Sequence, residues 1–197
     1  MLKDKLKAFD LILASASPRR KQLLEEMGLD FRVDVKTIKE DFPEGLNPCE
    51  VAKHICELKA SAFSHQELEP NKLIITADTI VAVGDVILGK PISRKNAAEM
   101  LNKLSDREHN VITGVCIRTS EKSISFTVET KVLFKSLSEE ELNYYITNYL
   151  PFDKAGAYGI QEWIGHVAIE KINGSYFNVM GLPTHRLYEE LNKFIID

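Results

Sequence analysis

Leu11-Ile12-Leu13-Ala14-Ser15-Ala16-Ser17-Pro18-Arg19-Arg20 is the stretch on which the reading of the fold turns. Its apolar opening, Leu11 to Ala14, reads as a buried strand. Ser17 is suited to cap a helix, and Pro18 to occupy the first helical position, where a missing N–H costs nothing. Behind them Leu23, Leu24 and Met27 fall on one helical face, and Gly28 is a natural stop. Phe31 to Val35 then alternates as a second strand. Strand, helix and strand in succession is the alternation of an α/β protein.

The pattern continues outward. Asn47-Pro48 with Glu50 starts a helix whose stripe of Val51, Ile55, Leu58 and Ala62 runs to about Gln66. Leu73 to Thr76 predicts a short buried strand, and Ile80 to Val83 with Val86 to Leu88 a hairpin around Gly84-Asp85. Ser93 caps a helix through Leu104. His109 to Thr119 and Ser123 to Phe134 predict a further antiparallel pair. Ser138 with Glu141 forms a capping box for a helix to about Asn148. A loop-rich stretch, Pro151 to Gly165, precedes a strand near Val167 to Ile172, and Pro183 opens a last helix reaching Phe194. Early alternation with later hairpins predicts an α/β class with a mixed sheet.

The chain has 197 residues, of which 25 are Lys or Arg and 29 Asp or Glu, a formal net charge of −4. That length suits one domain able to bury about two-thirds of its unfolded surface. No repeat and no Pro-, Gly- or Ser-rich linker divides it, so 1–197 reads as one continuous domain. Hydrophobic residues at 44% and charged residues at 27% exclude a disordered chain. No run approaches the roughly 18 apolar residues of a membrane span, and MLKDKLKAFD mixes acids with its lysines, unlike a secretory signal. Cys49, Cys56 and Cys116 have no metal-ligand spacing and read as free thiols of a reducing cytosol. The expected setting is therefore cytoplasmic, away from membranes. A mildly acidic balance without a basic block argues against a nucleic-acid partner.

Some residues break local rules. Arg19 and Arg20 fall in a first helical turn, where the helix dipole disfavours cations by about 0.3 to 1 kcal/mol each. They are either a solvated pair on a surface helix or, with Ser15 and Ser17, the donors of an anion site. There is no G-x-x-x-x-G-K-[ST] loop. Thr76-Ala77-Asp78-Thr79 lies where a strand is expected to run out into a hairpin. Asp78 there can hold a divalent metal, take a proton from water, or merely shape a turn. Lys90, in Leu88-Gly89-Lys90-Pro91, reaches either a phosphate or solvent. Glu40-Asp41 in a loop offers carboxylates to a metal or to water, and Lys59 on the helical stripe either snorkels or points its charge inward. Gln161 closes a loop holding Gly156 and Gly159, whose glycines allow the backbone to swing or to approach a ligand, and its amide can read a base edge. His54, His65, His109, His166 and His185 lack zinc-site spacing. No G-x-S-x-G elbow or activated cysteine supports covalent catalysis.

Taken in order, these stretches resemble the Maf family, the septum-formation-associated nucleoside triphosphate pyrophosphatases. The resemblance rests on Leu13 to Arg20, Ile38-Lys39-Glu40, Leu58-Lys59-Ala60, Thr76 to Val81, Gly89-Lys90-Pro91 and Val111-Ile112-Thr113-Gly114-Val115. It continues through Asp153 to Gln161, Ile172-Asn173-Gly174-Ser175-Tyr176, Asn178-Val179 and Gly181-Leu182-Pro183. It implies an elongated mixed sheet flanked by helices, in two lobes around a central cleft, similar to inosine triphosphate pyrophosphatases. It also implies a divalent metal cation, Mg²⁺ or Mn²⁺, a homodimer, and hydrolysis of a nucleotide to the monophosphate and pyrophosphate.

Residue by residue, the resemblance makes Asp78 the proton acceptor and, with Glu40, a metal ligand. It ties Arg19, Thr79 and Gln161 to substrate choice, makes Arg20, Lys59 and Lys90 phosphate ligands, and adds Ser15 and Ser17 as substrate-binding hydroxyls. Tyr158-Gly159-Ile160-Gln161 is similar to the branch acting on dTTP and UTP, in a housecleaning role with a link to cell-division arrest. The family usually places Gly after that glutamine, whereas here Glu162-Trp163-Ile164 precede Gly165. Two other readings stand beside this one. A non-catalytic nucleotide-binding regulator of septum formation would not need Asp78, and a phosphatase would release orthophosphate.

Overall fold

Asp10–Leu13 forms β1 of a computed structural model that describes residues 1–196. Leu11, Ile12 and Leu13 are all buried, as a strand covered on both faces requires. A short helix, α1 (Leu2–Leu6), precedes β1, and α2 (Pro18–Glu26) and β2 (Arg32–Val33) follow. Next come α3 (Pro48–Ser61), β3 (Lys72–Val83), β4 (Val86–Leu88), α4 (Arg94–Leu104), β5 (Glu108–Arg118) and β6 (Ser123–Phe134). The chain continues through α5 (Glu139–Tyr149), α6 (Trp163–Ala168), β7 (Ile169–Asn173), α7 (Tyr176–Met180) and α8 (Thr184–Ile196).

The expected mixed sheet is present. Its seven strands run in the order β2-β1-β3-β5-β6-β7, with β4 paired to β3. β1 is parallel to β2 and to β3, where Leu11 lies opposite Leu73 and Leu13 opposite Ile75. β4 and β7 pair antiparallel with β3 and β6. Ser17, Asn47, Ser93 and Ser138 cap α2, α3, α4 and α5, each accepting a backbone N–H of the first turn, and Asn47/Glu50 and Ser138/Glu141 close the two expected boxes. Gly28 takes a φ of +71° just beyond α2.

Four expectations need correction. Thr76-Ala77-Asp78-Thr79 is no strand exit; it lies inside β3, one unbroken strand of 12 residues. The polar residues are tolerated there because the Thr76 hydroxyl donates to the Cys56 carbonyl at 2.6 Å and Asp78 is paired with Lys59. The strand at Phe31 to Val35 shrinks to Arg32–Val33, both exposed at the sheet edge. The helix expected to reach Gln66 ends at Ser61, where Arg118 donates to the carbonyls of Ala60 and Phe63 at 2.6 and 3.1 Å. The stretch 151–165 is not all loop: a 3-10 turn spans Ala155–Ala157, and α6 begins within it.

The chain divides into two compact units. The first holds Met1–Asp78, Thr113–Val128 and the residues from Gly181 onward, and the second Thr79–Ile112 and Glu129–Met180. In the first, Ile12, Ala14, Cys56, Ala60, Phe63, Leu68, Ile74 and Cys116 form one buried cluster that seats α3 on the sheet. In the second, α4 packs on α5, burying Ala97, Leu101, Leu104, Leu142, Tyr145 and Ile146. Among the described residues no helix is long and apolar enough to cross a membrane.

Candidate active site

Two backbone approaches in the first unit place its chemistry. A Cβ on Gly114 of β5 would stand 2.2 Å from the Ala52 carbonyl oxygen, so α3 lies against the strand where only glycine fits. One helical turn on, Thr76 of β3 ties down the Cys56 carbonyl. Residues 52, 56 and 59 share a helix face, while 76 and 78 share a sheet face. The next contact along that seam is therefore Lys59 with Asp78. Lys59 Nζ lies 2.6 Å from Asp78 Oδ1 and 2.9 Å from Glu40 Oε1. Asp78 is buried, Lys59 mostly so, and Glu40 is 47% exposed on its loop. An ammonium thus bridges two carboxylates. No sequence spacing places residues 40, 59 and 78 together; the fold does.

Arg20 has its partners in the same unit. Its Nη1 donates to the Ala77 carbonyl at 2.8 Å and the Ser15 hydroxyl at 3.2 Å, and its Nε to the Gly181 carbonyl at 2.8 Å. Burial lowers its affinity for the proton, the Asp78 charge opposes that, and the Arg19 charge adds to it. A guanidinium nevertheless stays charged. Ser15 is buried and also accepts the Ser17 N–H at 3.3 Å, while Ser17 caps α2 through the Arg20 N–H. Arg19 stands half-buried in the first turn. The first unit therefore gathers Ser15, Ser17, Arg19, Arg20, Glu40, Lys59 and Asp78.

The second unit carries Thr79, Lys90 and Gln161. Thr79 is half-buried directly after Asp78 in β3, and Lys90 is exposed. The Gly89 carbonyl accepts the Gly156 N–H at 3.0 Å, fixing one side of the loop that ends at Gln161. Gln161 Oε1 is buried and has no hydrogen-bond partner among the described residues. The loop's glycines permit close packing instead of swinging. A Cβ on Gly156 would meet the Val81 side chain at 2.9 Å, and one on Gly159 would meet Glu162 Cδ at 2.9 Å. Lys154, Glu162 and Tyr145, which no local pattern marks as a group, are joined around this loop. Of the three, Lys154 lies within the motif stretch Asp153 to Gln161 and Glu162 stands where the family usually has glycine, but Tyr145 gave no signal.

The family model described as Maf-like protein matches residues 10–194. A dTTP/UTP pyrophosphatase of Parabacteroides distasonis is 48% identical over 192 residues, covering 97% of this chain and 99% of its own. One from Porphyromonas gingivalis is 49% identical over 195 residues and 97% of each chain. One from Cytophaga hutchinsonii is 52% identical over 184 residues, 93% of this chain and 84% of its own. Among solved structures, a nucleoside-triphosphatase / dITP/XTP pyrophosphatase of Mycobacterium abscessus matches 64% of this chain and 73% of its own, at 16% identity and a TM-score of 0.38.

Proposed function

The chain belongs to the Maf-like family, and on that premise we propose that it hydrolyses dTTP and UTP to the monophosphate and pyrophosphate. The single observation that carries the chemistry is the buried Asp78 carboxylate held 2.6 Å from the Lys59 ammonium. In this reading water attacks the α-phosphorus, a P–O bond to water forms, and the bond from the α-phosphorus to the bridging oxygen breaks. The electron pair leaves with pyrophosphate, and Asp78 takes the water proton. Arg19, Arg20 and Lys59 supply donors to the charge on the phosphate oxygens, with Ser15 and Ser17 beside them. Of the second unit, Lys90 is assigned to phosphate, Thr79 to substrate and Gln161 to the base. Gln161 Oε1 has no hydrogen-bond partner among the described residues, and uracil and thymine offer an N3–H donor that it could accept.

The carboxylates of Glu40 and Asp78 are hard oxygen donors, the kind that hold Mg²⁺ or Mn²⁺ through one or two carboxylates together with substrate phosphates. Both already meet a cation, Lys59, so the donor set fits a divalent metal cation. Among the described residues no group of three or more His, Cys, Asp or Glu is gathered, so substrate and water would complete the shell. A bound divalent ion screens the triphosphate and lowers the pKa of a water. The test is a panel of dTTP, UTP, CTP and purine triphosphates with Mg²⁺ or Mn²⁺, scored for product. Pyrophosphate released fastest from dTTP and UTP is expected. Orthophosphate in its place overturns the reaction, and a purine preference overturns the substrate.

A further inference from the structure

Gln161 sits inside a closed ring of hydrogen bonds. The Gly159 N–H donates to the Tyr145 hydroxyl oxygen at 3.0 Å, and the Tyr145 hydroxyl donates to Glu162 Oε2. The Glu162 N–H returns to the Gly159 carbonyl at 3.0 Å. Tyr145 belongs to α5, so a helix outside the loop staples the turn 159–162 from both of its ends. Lys154, from the loop's beginning, holds the other carboxylate oxygen of Glu162 at 3.0 Å, and its side chain is only 9% exposed. A Cβ on Gly159 would stand 2.9 Å from Glu162 Cδ and 3.0 Å from Lys154 Cε, so the ion pair packs directly on that glycine. On the far side the Gly165 N–H donates to the Glu162 carbonyl at 2.9 Å.

Residue 161 therefore has its backbone held on both sides, while its own amide oxygen is buried without a hydrogen-bond partner among the described residues. A loop built only to close the chain has no need of a buried lysine and a buried tyrosine gathered on a half-buried carboxylate, groups that are costly to desolvate. We infer that Glu162, with Tyr145 and Lys154, is a positioning residue that fixes the backbone from which the Gln161 amide selects the base. The inference rests on the proposal that Gln161 reads the base. Discrimination by an amide needs its oxygen and nitrogen held in one orientation, because a rotating amide accepts from thymine and donates to cytosine equally well. A misplacement of about 1 Å costs on the order of 10²-fold in a positioned contact.

The experiment compares kcat/KM for dTTP and CTP in the wild-type protein, Tyr145→Phe, Glu162→Ala, Glu162→Gln and Gln161→Ala. Tyr145→Phe and Glu162→Ala are each expected to narrow the dTTP:CTP ratio about tenfold, mainly through KM for dTTP. Glu162→Gln keeps an oxygen for the tyrosine and should restore most of the ratio. The double variant Tyr145→Phe/Glu162→Ala should narrow it no further, because the two residues act through one ring. A purely structural ion pair would lower both substrates together and leave the ratio unchanged, and that result overturns the inference. Should Glu162→Ala not fold, Tyr145→Phe, which deletes a single oxygen, decides alone. Gln161→Ala separates the two ideas. If it flattens the ratio and Tyr145→Phe does not, only the positioning role falls; if it leaves the ratio intact, both fall.

Discussion

Lys59 bridges Asp78 and Glu40, the two carboxylates proposed to hold a divalent ion, which sets the behaviour of each residue. Asp78→Asn keeps the shape but cannot take a proton, so turnover is expected to fall about 10²- to 10⁴-fold with nucleotide affinity nearly unchanged. Retention of a tenth of the activity would move the base elsewhere, Glu40 first. Lys59→Ala should bind Mn²⁺ more tightly without nucleotide, by calorimetric titration, because two carboxylates lose their resident cation. Unchanged Mn²⁺ affinity would remove the carboxylate pair as the metal site. The arginines divide. The dipole argument alone predicts that either can be lost from the free protein at no cost, yet Arg20 donates to Gly181, 161 residues away, and to Ala77. Arg20→Ala leaves those carbonyls without a charged donor, an expected loss of about 3 kcal/mol. That is a fall in Tm of roughly 6 to 12 °C for a chain of this size. Arg19→Ala should weaken substrate binding, seen as a raised KM or a lowered kcat/KM. The local sequence held the helix start but not the carbonyls that offset the anomaly of Arg20.

Elements whose signals are local are legible in the sequence alone. The boxes Asn47/Glu50 and Ser138/Glu141 span three residues each, and both close as read. Elements decided by distant partners were hidden. β3 looked like two strands because Thr and Asp interrupt its apolar run, and Asp is depleted in strands. What keeps it whole is α3, through the Thr76 and Asp78 contacts 20 and 19 residues away. Tyr176–Met180, at five residues, is too short to show a period. The same helix–sheet seam explains the motif glycine at 114, whose missing Cβ is the space filled by the Ala52 carbonyl. Gly114→Ala must push α3 off β5, and because backbone blocks it no side chain can give way. The expected cost is about 3 kcal/mol or more, with turnover falling as Lys59 shifts from Asp78. Urea unfolding of the variant measures it; stability within about 0.5 kcal/mol of wild type would show that the seam is loose.

At the scale of the whole molecule, no Pro-, Gly- or Ser-rich stretch marks where the two units meet along the chain. Three of the four boundaries between the two units fall within strands, at 78/79 in β3, 112/113 in β5 and 128/129 in β6, and the fourth, 180/181, falls between α7 and α8. What the chain's composition also concealed is a buried neutral histidine. His109, dismissed for want of ligand spacing, is 1% exposed in the second unit. Its Nε2 lies 2.8 Å from the Tyr158 hydroxyl, and its ring meets Phe134 and Tyr158 edge-on at 5.0 and 5.5 Å. Burial depresses it to about 4 from the ordinary 6.5. The sign follows from proton counting. Between pH 6.5 and 4 the unfolded chain binds a proton that the native state refuses, so stability falls as pH falls through that window and levels off below it. Folding free energy carried by this one group should drop by about 2.5 kcal/mol from pH 7 to pH 4.5. Carboxylates held low by lysines, such as Glu141 beside Lys135, also lose their contribution in acid, so wild type alone cannot isolate the histidine. His109→Gln removes the titration while keeping a polar partner for Tyr158. Urea melts of both proteins at pH 7 and 4.5 should show wild type losing about 2.5 kcal/mol more than the variant, at equal m-values. Parallel losses would mean that His109 charges freely in the folded protein, and that the aromatic pocket around it opens to water.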